Sequence, residues 1–371
     1  MRVLSVTVTD FRSYKSASLT VGDGLTVIHG PNGAGKTNLL EATYVASTGR
    51  SFRTASDREL IRFGAPAARV RLMSEAIDGR HELAVGVAPS EAKRMSVDGA
   101  AVERLLDTPV RPLVSVFLPD RLELIKGVPA GRRAHLDQFV AALWPARVAT
   151  RRAYAQTLAQ RNALLGRVRA GITGIDALAP WDERLATLAL ELMSDRANAV
   201  DAIAALYGEI AARLGLDGAV ELRYRPRSHA STAAAYVDEL AQRLATDVER
   251  GFTGHGPHRD DLLFTRDGRE LRTFGSQGQQ RLALLSLLLA ERDALAERRD
   301  GSVLMLLDDV MSELDATRRA ALIAVLDDAP GQTIVTTTDA DHVPVPRSTL
   351  PVYVRVESGE LHYDEPVARA A

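Results

Sequence analysis

Apolar and polar residues alternate from Val3 to Thr9, from Arg69 to Ile77 and from Leu83 to Val87, the period-two pattern of half-buried strands. Leu25-Thr26-Val27-Ile28-His29 is a continuous apolar run and predicts a buried strand. Helical periodicity follows in Leu39-Leu40-Glu41-Ala42 and Tyr44-Val45-Ala46. From about Pro129 to Leu214 the helical period dominates. Leu185, Leu188, Leu192, Val200, Ile203, Leu206 and Ile210 recur at threes and fours, or multiples of them, on one face. Leu136, Phe139, Val140 and Leu143 form a shorter stripe that ends near Trp144-Pro145. The linker Gly171-Ile172-Thr173-Gly174 separates two long helical stretches and predicts an antiparallel helical hairpin. Strands return from Ala219 to Tyr224 and again after Gly254, and Val303-Leu304-Met305-Leu306-Leu307 is a second fully apolar run. The pattern predicts an α/β chain in which residues 1–128 and 248–371 form one strand-containing head. A mainly helical insertion fills residues 129–247.

A chain of 371 residues is long enough for two cores, and 46% apolar with 25% charged residues is ordinary for a globular protein. No segment approaches 18 uncharged apolar residues, and Met1-Arg2-Val3-Leu4 does not open a signal peptide, so a cytoplasmic protein with no membrane partner is expected. The absence of cysteine excludes disulfides, thiolate catalysis and the usual structural zinc site. The net charge of −2 does not announce a nucleic-acid binder. The distribution does more: residues 111–169 hold eleven basic side chains against three acidic ones, +8, which reads either as a solvated helix surface or as a phosphate-binding face.

Gly30-Pro31-Asn32-Gly33-Ala34-Gly35-Lys36-Thr37 spells GxxxxGK[ST] between the predicted strand and helix. Glycines let backbone N–H groups approach a polyphosphate, and the helix starting at the lysine adds its positive end. Lys36 is expected to reach the β- and γ-phosphates of ATP, and the Thr37 hydroxyl to hold Mg²⁺. The run ending in Asp308-Asp309 matches Walker B: Asp308 is the expected Mg²⁺ ligand and Asp309 the group that orients the attacking water. Between the two lies Thr273-Phe274-Gly275-Ser276-Gln277-Gly278-Gln279-Gln280-Arg281, in which Ser276 is a good N-cap and Gly278 leaves the first turn open. A capped core helix is the plainer reading. The pattern also resembles the ABC signature, and Ser312-Glu313-Leu314-Asp315 resembles a D-loop. One P-loop and one signature per chain then imply a head-to-tail homodimer around two ATP molecules.

Further blocks carry a more specific resemblance. Asp10-Phe11-Arg12-Ser13-Tyr14 looks like the opening of the SMC-like ABC ATPases, in which the arginine region lies near the adenine, and Arg12 is taken as nucleotide-binding on that ground. Gly49-Arg50-Ser51-Phe52-Arg53, Leu118-Pro119-Asp120 with Lys126-Gly127, Arg132-Arg133 with Leu136-Asp137, and Gly254-His255-Gly256-Pro257-His258-Arg259-Asp260-Asp261-Leu262 are similar, in order, to the RecF family. That resemblance implies an ABC-type P-loop ATPase head with a mixed sheet and flanking helices. It also implies a weak DNA-dependent ATPase of recombinational gap repair, replication-fork maintenance and SOS induction, with RecR and RecO as partners and RecA loading as the result. Asp309 stands where transporter ATPases carry glutamate, Ile334-Val335-Thr336-Thr337-Thr338 ends without a switch histidine, and no Q-loop glutamine is obvious, the Phe117–Asp120 segment being the candidate. The first two departures are shared by RecF-type proteins and suggest slow hydrolysis, with ATP acting as a dimer clamp. Single-stranded, gapped or junction-proximal duplex DNA is the implied ligand. Arg132, Arg133, Arg151, Arg152 and Arg161 of the basic stretch are the candidate contacts. His-x-x-His at His255 and His258 reads as a structural turn or a contact beside the nucleotide or dimer face before a metal site. A small-molecule P-loop kinase would need Lys36 and Thr37 but neither signature nor dimer, and a scaffold would be indifferent to Asp309→Asn.

Overall fold

Valines alternate inward along β1 (Arg2–Phe11), which turns at Arg12-Ser13 into β2 (Tyr14–Thr20). The apolar run is β3 (Leu25–His29), buried from Leu25 to Ile28, and the glycine loop after it opens α1 (Lys36–Thr48). β4 (Ala68–Ala76), β5 (Gly79–Val87), β6 (Arg94–Val97), β7 (Ala100–Ala101) and β8 (Leu113–Phe117) follow. The helical region comprises α2 (Glu123–Lys126), α3 (Pro129–Leu143), α4 (Val148–Arg169) and α5 (Ala179–Arg213). Beyond it come β9 (Val220–Arg225), α6 (Ala233–Ala241), α7 (Leu244–Arg250), β10 (Asp261–Arg266), β11 (Arg269–Glu270), α8 (Leu271–Phe274) and α9 (Gln277–Arg299). The chain closes with β12 (Val303–Leu307), α10 (Ala316–Asp327), β13 (Thr333–Thr337), β14 (Val352–Glu357) and β15 (Glu360–Tyr363). This computed structural model describes residues 1–299 and 303–364, apart from the side chains of Pro119, Asp120 and Arg299. The Q-loop candidate therefore lies partly outside the described residues.

Two compact units form. The first comprises residues 1–121, 213–215 and the chain from Leu295 on. It holds an antiparallel sheet of order β2-β1-β4-β5-β6-β7 and a mixed sheet of order β15-β14-β3-β13-β12-β8, in which only the β14–β15 pair is antiparallel. Both sheets and α1 share one core, with Val6, Val8, Leu39, Leu40, Leu72, Leu304 and Ile334 among its members. Tyr363 ties the sheets together: its hydroxyl accepts from the Thr20 N–H (2.7 Å) and donates to the Ser18 carbonyl (3.0 Å), covering the outer edge of β2.

The second unit comprises residues 122–212 and 216–294, so it reaches beyond the expected limits of 129–247 on both sides. Buried ion pairs explain the extension. Arg132 on α3 forks onto Asp261 of β10 (2.7 and 3.0 Å), and His135 on α3 meets Glu291 on α9 at 2.7 Å. Sequence periodicity detects neither, because each pair joins residues more than a hundred positions apart. The unit is mainly helical, as expected, with a three-stranded sheet β11-β10-β9 added. Its helical hairpin runs antiparallel: Arg161 on α4 reaches Asp182 on α5, while Tyr154 packs with Leu185, Ala189 and Leu192.

Candidate nucleotide site and DNA-contact residues

Gly30 and Gly35 hold φ angles of 146° and 112°. A Cβ on Gly30 would lie 2.4 Å from the Val356 carbonyl oxygen, and one on Gly35 would lie 2.7 Å from the Tyr14 hydroxyl. The loop between them, with Pro31, Asn32, Gly33 and Ala34, is therefore a glycine-built cradle seated on β14 and the β1–β2 turn. Lys36 folds back over it, its ammonium donating to the carbonyls of Gly30 (2.7 Å) and Pro31 (3.0 Å). Burial pulls the pKa of this ammonium down, and the carboxylates of Asp309 and Asp308 oppose that pull.

The acidic end of β12 lies against the same loop. The Thr37 hydroxyl donates to Asp308 Oδ1 and Oδ2 (2.8 and 3.1 Å). The Thr336 hydroxyl, from β13 between β3 and β12, donates to Asp308 Oδ1 (2.7 Å) and accepts from the Asp309 N–H (3.0 Å). Asp309 itself stands in the left-handed region at φ 48°, which costs a non-glycine residue about 1–2 kcal/mol. Its Oδ1 is buried and has no hydrogen-bond partner among the described residues. The D-loop begins directly behind it, with the Ser312 hydroxyl donating to the Asp309 carbonyl (2.9 Å). Thr37, Asp308 and Asp309 make a set of hard oxygen donors, which suits Mg²⁺, and the unpartnered Asp309 oxygen and the glycine cradle fit a magnesium–triphosphate.

Arg12, at φ 50°, forks onto Glu41 of α1 (2.9 and 2.7 Å), and Ser51 donates to the same carboxylate (2.6 Å). Glu41 is fully buried and thus gathers the Asp10–Tyr14 and Gly49–Arg53 blocks onto the helix that starts at Lys36. In the second unit Ser276 and Gln279 form a capping box at the start of α9: the Ser276 Oγ accepts from the Gln279 N–H (3.3 Å), and the Gln279 side chain accepts from the Ser276 N–H (2.9 Å). Ser276 is exposed, and beyond the chain neighbours and the backbone of the same helix only the Ser276 Oγ, at 4.0 Å, comes near a Cβ built on Gly278 among the described residues.

The DNA candidates divide. Arg132 and Arg161 are buried and committed to carboxylates, Arg132 to Asp261 and Arg161 to Asp182 (2.6 Å) and Asp247 (3.1 Å), so neither faces solvent. The basic count missed this because the neutralising acids lie outside residues 111–169. Arg133 is half-buried and donates to the Asp260 carbonyl (2.7 Å). Arg151 is exposed but pairs with Asp137 at 3.0 Å, and Arg152 is exposed. His255 pairs with Glu239. His258 donates through Nε2 to the Thr253 carbonyl (2.9 Å) and accepts the Tyr154 hydroxyl on Nδ1 (2.9 Å). Burial pushes the His258 imidazole down to about 4. Among the described residues no group of three or more His, Asp and Glu is placed to hold a metal, and both histidines are hydrogen-bonded to protein groups. Thr336 and Glu41 are the residues around this site to which the motifs gave no role.

A family model described as an AAA domain matches residues 5–96. The DNA replication and repair protein RecF of Heliobacterium modesticaldum is 35% identical over 370 residues, covering 97% of this chain and 99% of the relative. That of Roseiflexus castenholzii is 36% identical, covering 98% and 100%. Among solved structures, that of the recombination mediator protein RecF-ATP in the RecFOR pathway superposes with a TM-score of 0.83 at 27% identity, covering 98% of both chains. An Smc head bound to the C-winged helix domain of ScpA shares the fold at a TM-score of 0.59 and 16% identity, covering 98% and 97%.

Proposed function

The chain belongs to the RecF family of DNA replication and repair proteins, and from that membership we propose that it is an ATP-dependent DNA-binding protein of recombinational gap repair, replication-fork maintenance and SOS induction. ATP sits on Gly30–Thr37 of one copy, and Ser276 and Gly278 of a second copy close over it, so that a head-to-tail homodimer clamps single-stranded, gapped or junction-proximal DNA. Lys36 exchanges its loop carbonyls for the β- and γ-phosphates. Thr37 and Asp308 hold Mg²⁺, which when bound neutralises phosphate charge. Asp309 orients the attacking water, with Thr336 fixing its backbone. The short aspartate side chain supports slow, DNA-stimulated hydrolysis that releases the clamp. RecR and RecO act with it toward RecA loading in the cytoplasm, and Arg151 and Arg152 contribute to the DNA path.

The observation that carries this reading is the shared carboxylate: Thr37 of the phosphate loop and Thr336 of the neighbouring strand both donate to Asp308. Its test is binding to a gapped duplex at one fixed salt concentration, with Mg-ATP, Mg-ADP or no nucleotide, and with mass measured on the same samples. ATP alone is expected to give a DNA-bound dimer, and Lys36→Ala to abolish it. Nucleotide-indifferent binding by a monomer would overturn the clamp.

A further inference from the structure

The antiparallel sheet of the first unit buries one face through Val6, Val8, Val70 and Leu72, so strand alternation commits the other face to solvent. Register sets that outer face in rows. Ser16, Thr9, Arg69, Gly86 and Arg94 lie side by side across five strands, and Ser18, Thr7, Arg71, Ala84, Ser96 and Ala101 form the next row. With Thr20 beside Ser5, the β1–β2 side of the face is a strip of six short hydroxyl side chains. On the β4–β6 side, Arg69 stands on one bank of a trough and Arg94 on the other, with Ala84, Gly86 and Ser96 between them, and Arg71 lies beside Ala84 in the next row. Strands spaced ~4.8 Å apart put the two banks roughly 10 Å from each other. The acids nearby are weak competitors: Glu82 lies 4.0 Å from Arg71, and the Glu91–Arg94 pair is open to water.

We infer that this face is a nucleic-acid platform, on which serine and threonine hydroxyls and the guanidiniums of Arg69, Arg71 and Arg94 donate to successive phosphates of a DNA backbone. It rests on the DNA-binding reading above and assigns a surface to it. Donors repeated in two directions match a polymer of phosphates. Although Ala88, Met95 and Val102 line the trough, the β1–β2 strip presents hydroxyls only, and hydroxyls in series with guanidiniums suit a phosphate backbone better than an acidic polypeptide that needs an apolar anchor. Such contacts bind without reading sequence.

The chain has no cysteine, so Ser96→Cys supplies its sole thiol. Maleimide labelling of that variant is expected to slow at least tenfold when a duplex is added with Mg-ATP, while Thr349→Cys, in an exposed loop of the same unit, keeps its rate. The double variant Arg69→Gln/Arg71→Gln is expected to weaken binding about tenfold and to reduce the slope of log K against log salt by about two. Its ATP-dependent dimer should persist. If wild type binds DNA but labelling and slope are both unchanged, the platform is wrong and the clamp reading stands. If wild type fails to bind DNA under any nucleotide, both fall. Equal protection by polyglutamate would overturn the assignment to nucleic acid. Should the double variant fail to fold, the labelling comparison still decides.

Discussion

Thr336 orders the acidic end of the nucleotide site with a single hydroxyl, giving its proton to Asp308 and its lone pair to the Asp309 N–H. A valine of the same shape keeps the strand and removes both bonds. Because the lost bond serves a charged acceptor, Thr336→Val is expected to slow single-turnover ATP hydrolysis by roughly 10- to 100-fold, about 1.5–3 kcal/mol. Equilibrium ATP binding should change far less, and a variant in which both fall together would make Thr336 a folding residue instead. The groups around it differ in how visible they are in the sequence. Lys36, Thr37, Asp308 and Asp309 are legible because the phosphate loop and the acid-ended strand are local patterns. Thr336 is an ordinary strand threonine until β13 is seen between β3 and β12. Glu41 looks like one acid on an apolar helix until Arg12, 29 residues earlier, folds onto it. The reverse error fell on Arg132 and Arg161, whose charge was visible and whose partners were not.

At the scale of elements, the start of α9 carries two roles on one side chain. Ser276 caps its own helix through a reciprocal pair with Gln279, and the proposed dimer asks its exposed face to meet a phosphate as well. Substitution separates these roles. Ser276→Ala is expected to cost about 1 kcal/mol in denaturant unfolding, the ordinary worth of an N-cap. Ser276→Asp restores the cap, so its stability should return to near wild type, yet it places a carboxylate where the phosphate is proposed to sit. Loss of the ATP-dependent dimer in Ser276→Asp, read by light scattering, is the expected result; a dimer of wild-type affinity would confine Ser276 to capping. The N-cap was readable from composition and position. Its mate Gln279 stands at the Ser-x-x-Gln spacing of a capping box, so it was open to the same reading.

For the whole molecule, the buried turn at Gly254–Leu262 sets a response to acid. The His258 imidazole is held neutral, pushed down to about 4 from an ordinary 6.5, because its ring is buried, and the Nε2 hydrogen bond to the Thr253 carbonyl only partly opposes that shift. An unfolded chain would protonate this group first as pH falls. The stability it contributes is complete above pH 6.5 and is lost as pH drops from 6.5 toward 4, up to about 3 kcal/mol. Urea unfolding across that range should therefore be shallower for His258→Gln than for wild type, and parallel curves would count against the assignment. A strand-rich part and a helical insertion were legible from periodicity, and the mixed sheet only from the resemblance; the borders were not legible, because ion pairs such as Arg132–Asp261 recruit distant strands into the second unit. One feature of the first unit bears on how the chain is made. β3, the strand that delivers the phosphate loop, is flanked by β13 and β14, so residues 25–29 find their neighbours only in residues 333–337 and 352–357. At 5–20 residues per second, a ribosome takes roughly 15 seconds to a minute to supply them. Through that interval a largely apolar strand of the nucleotide site waits unpaired, which makes biosynthesis, rather than the finished fold, the stage at which this chain is most exposed to aggregation.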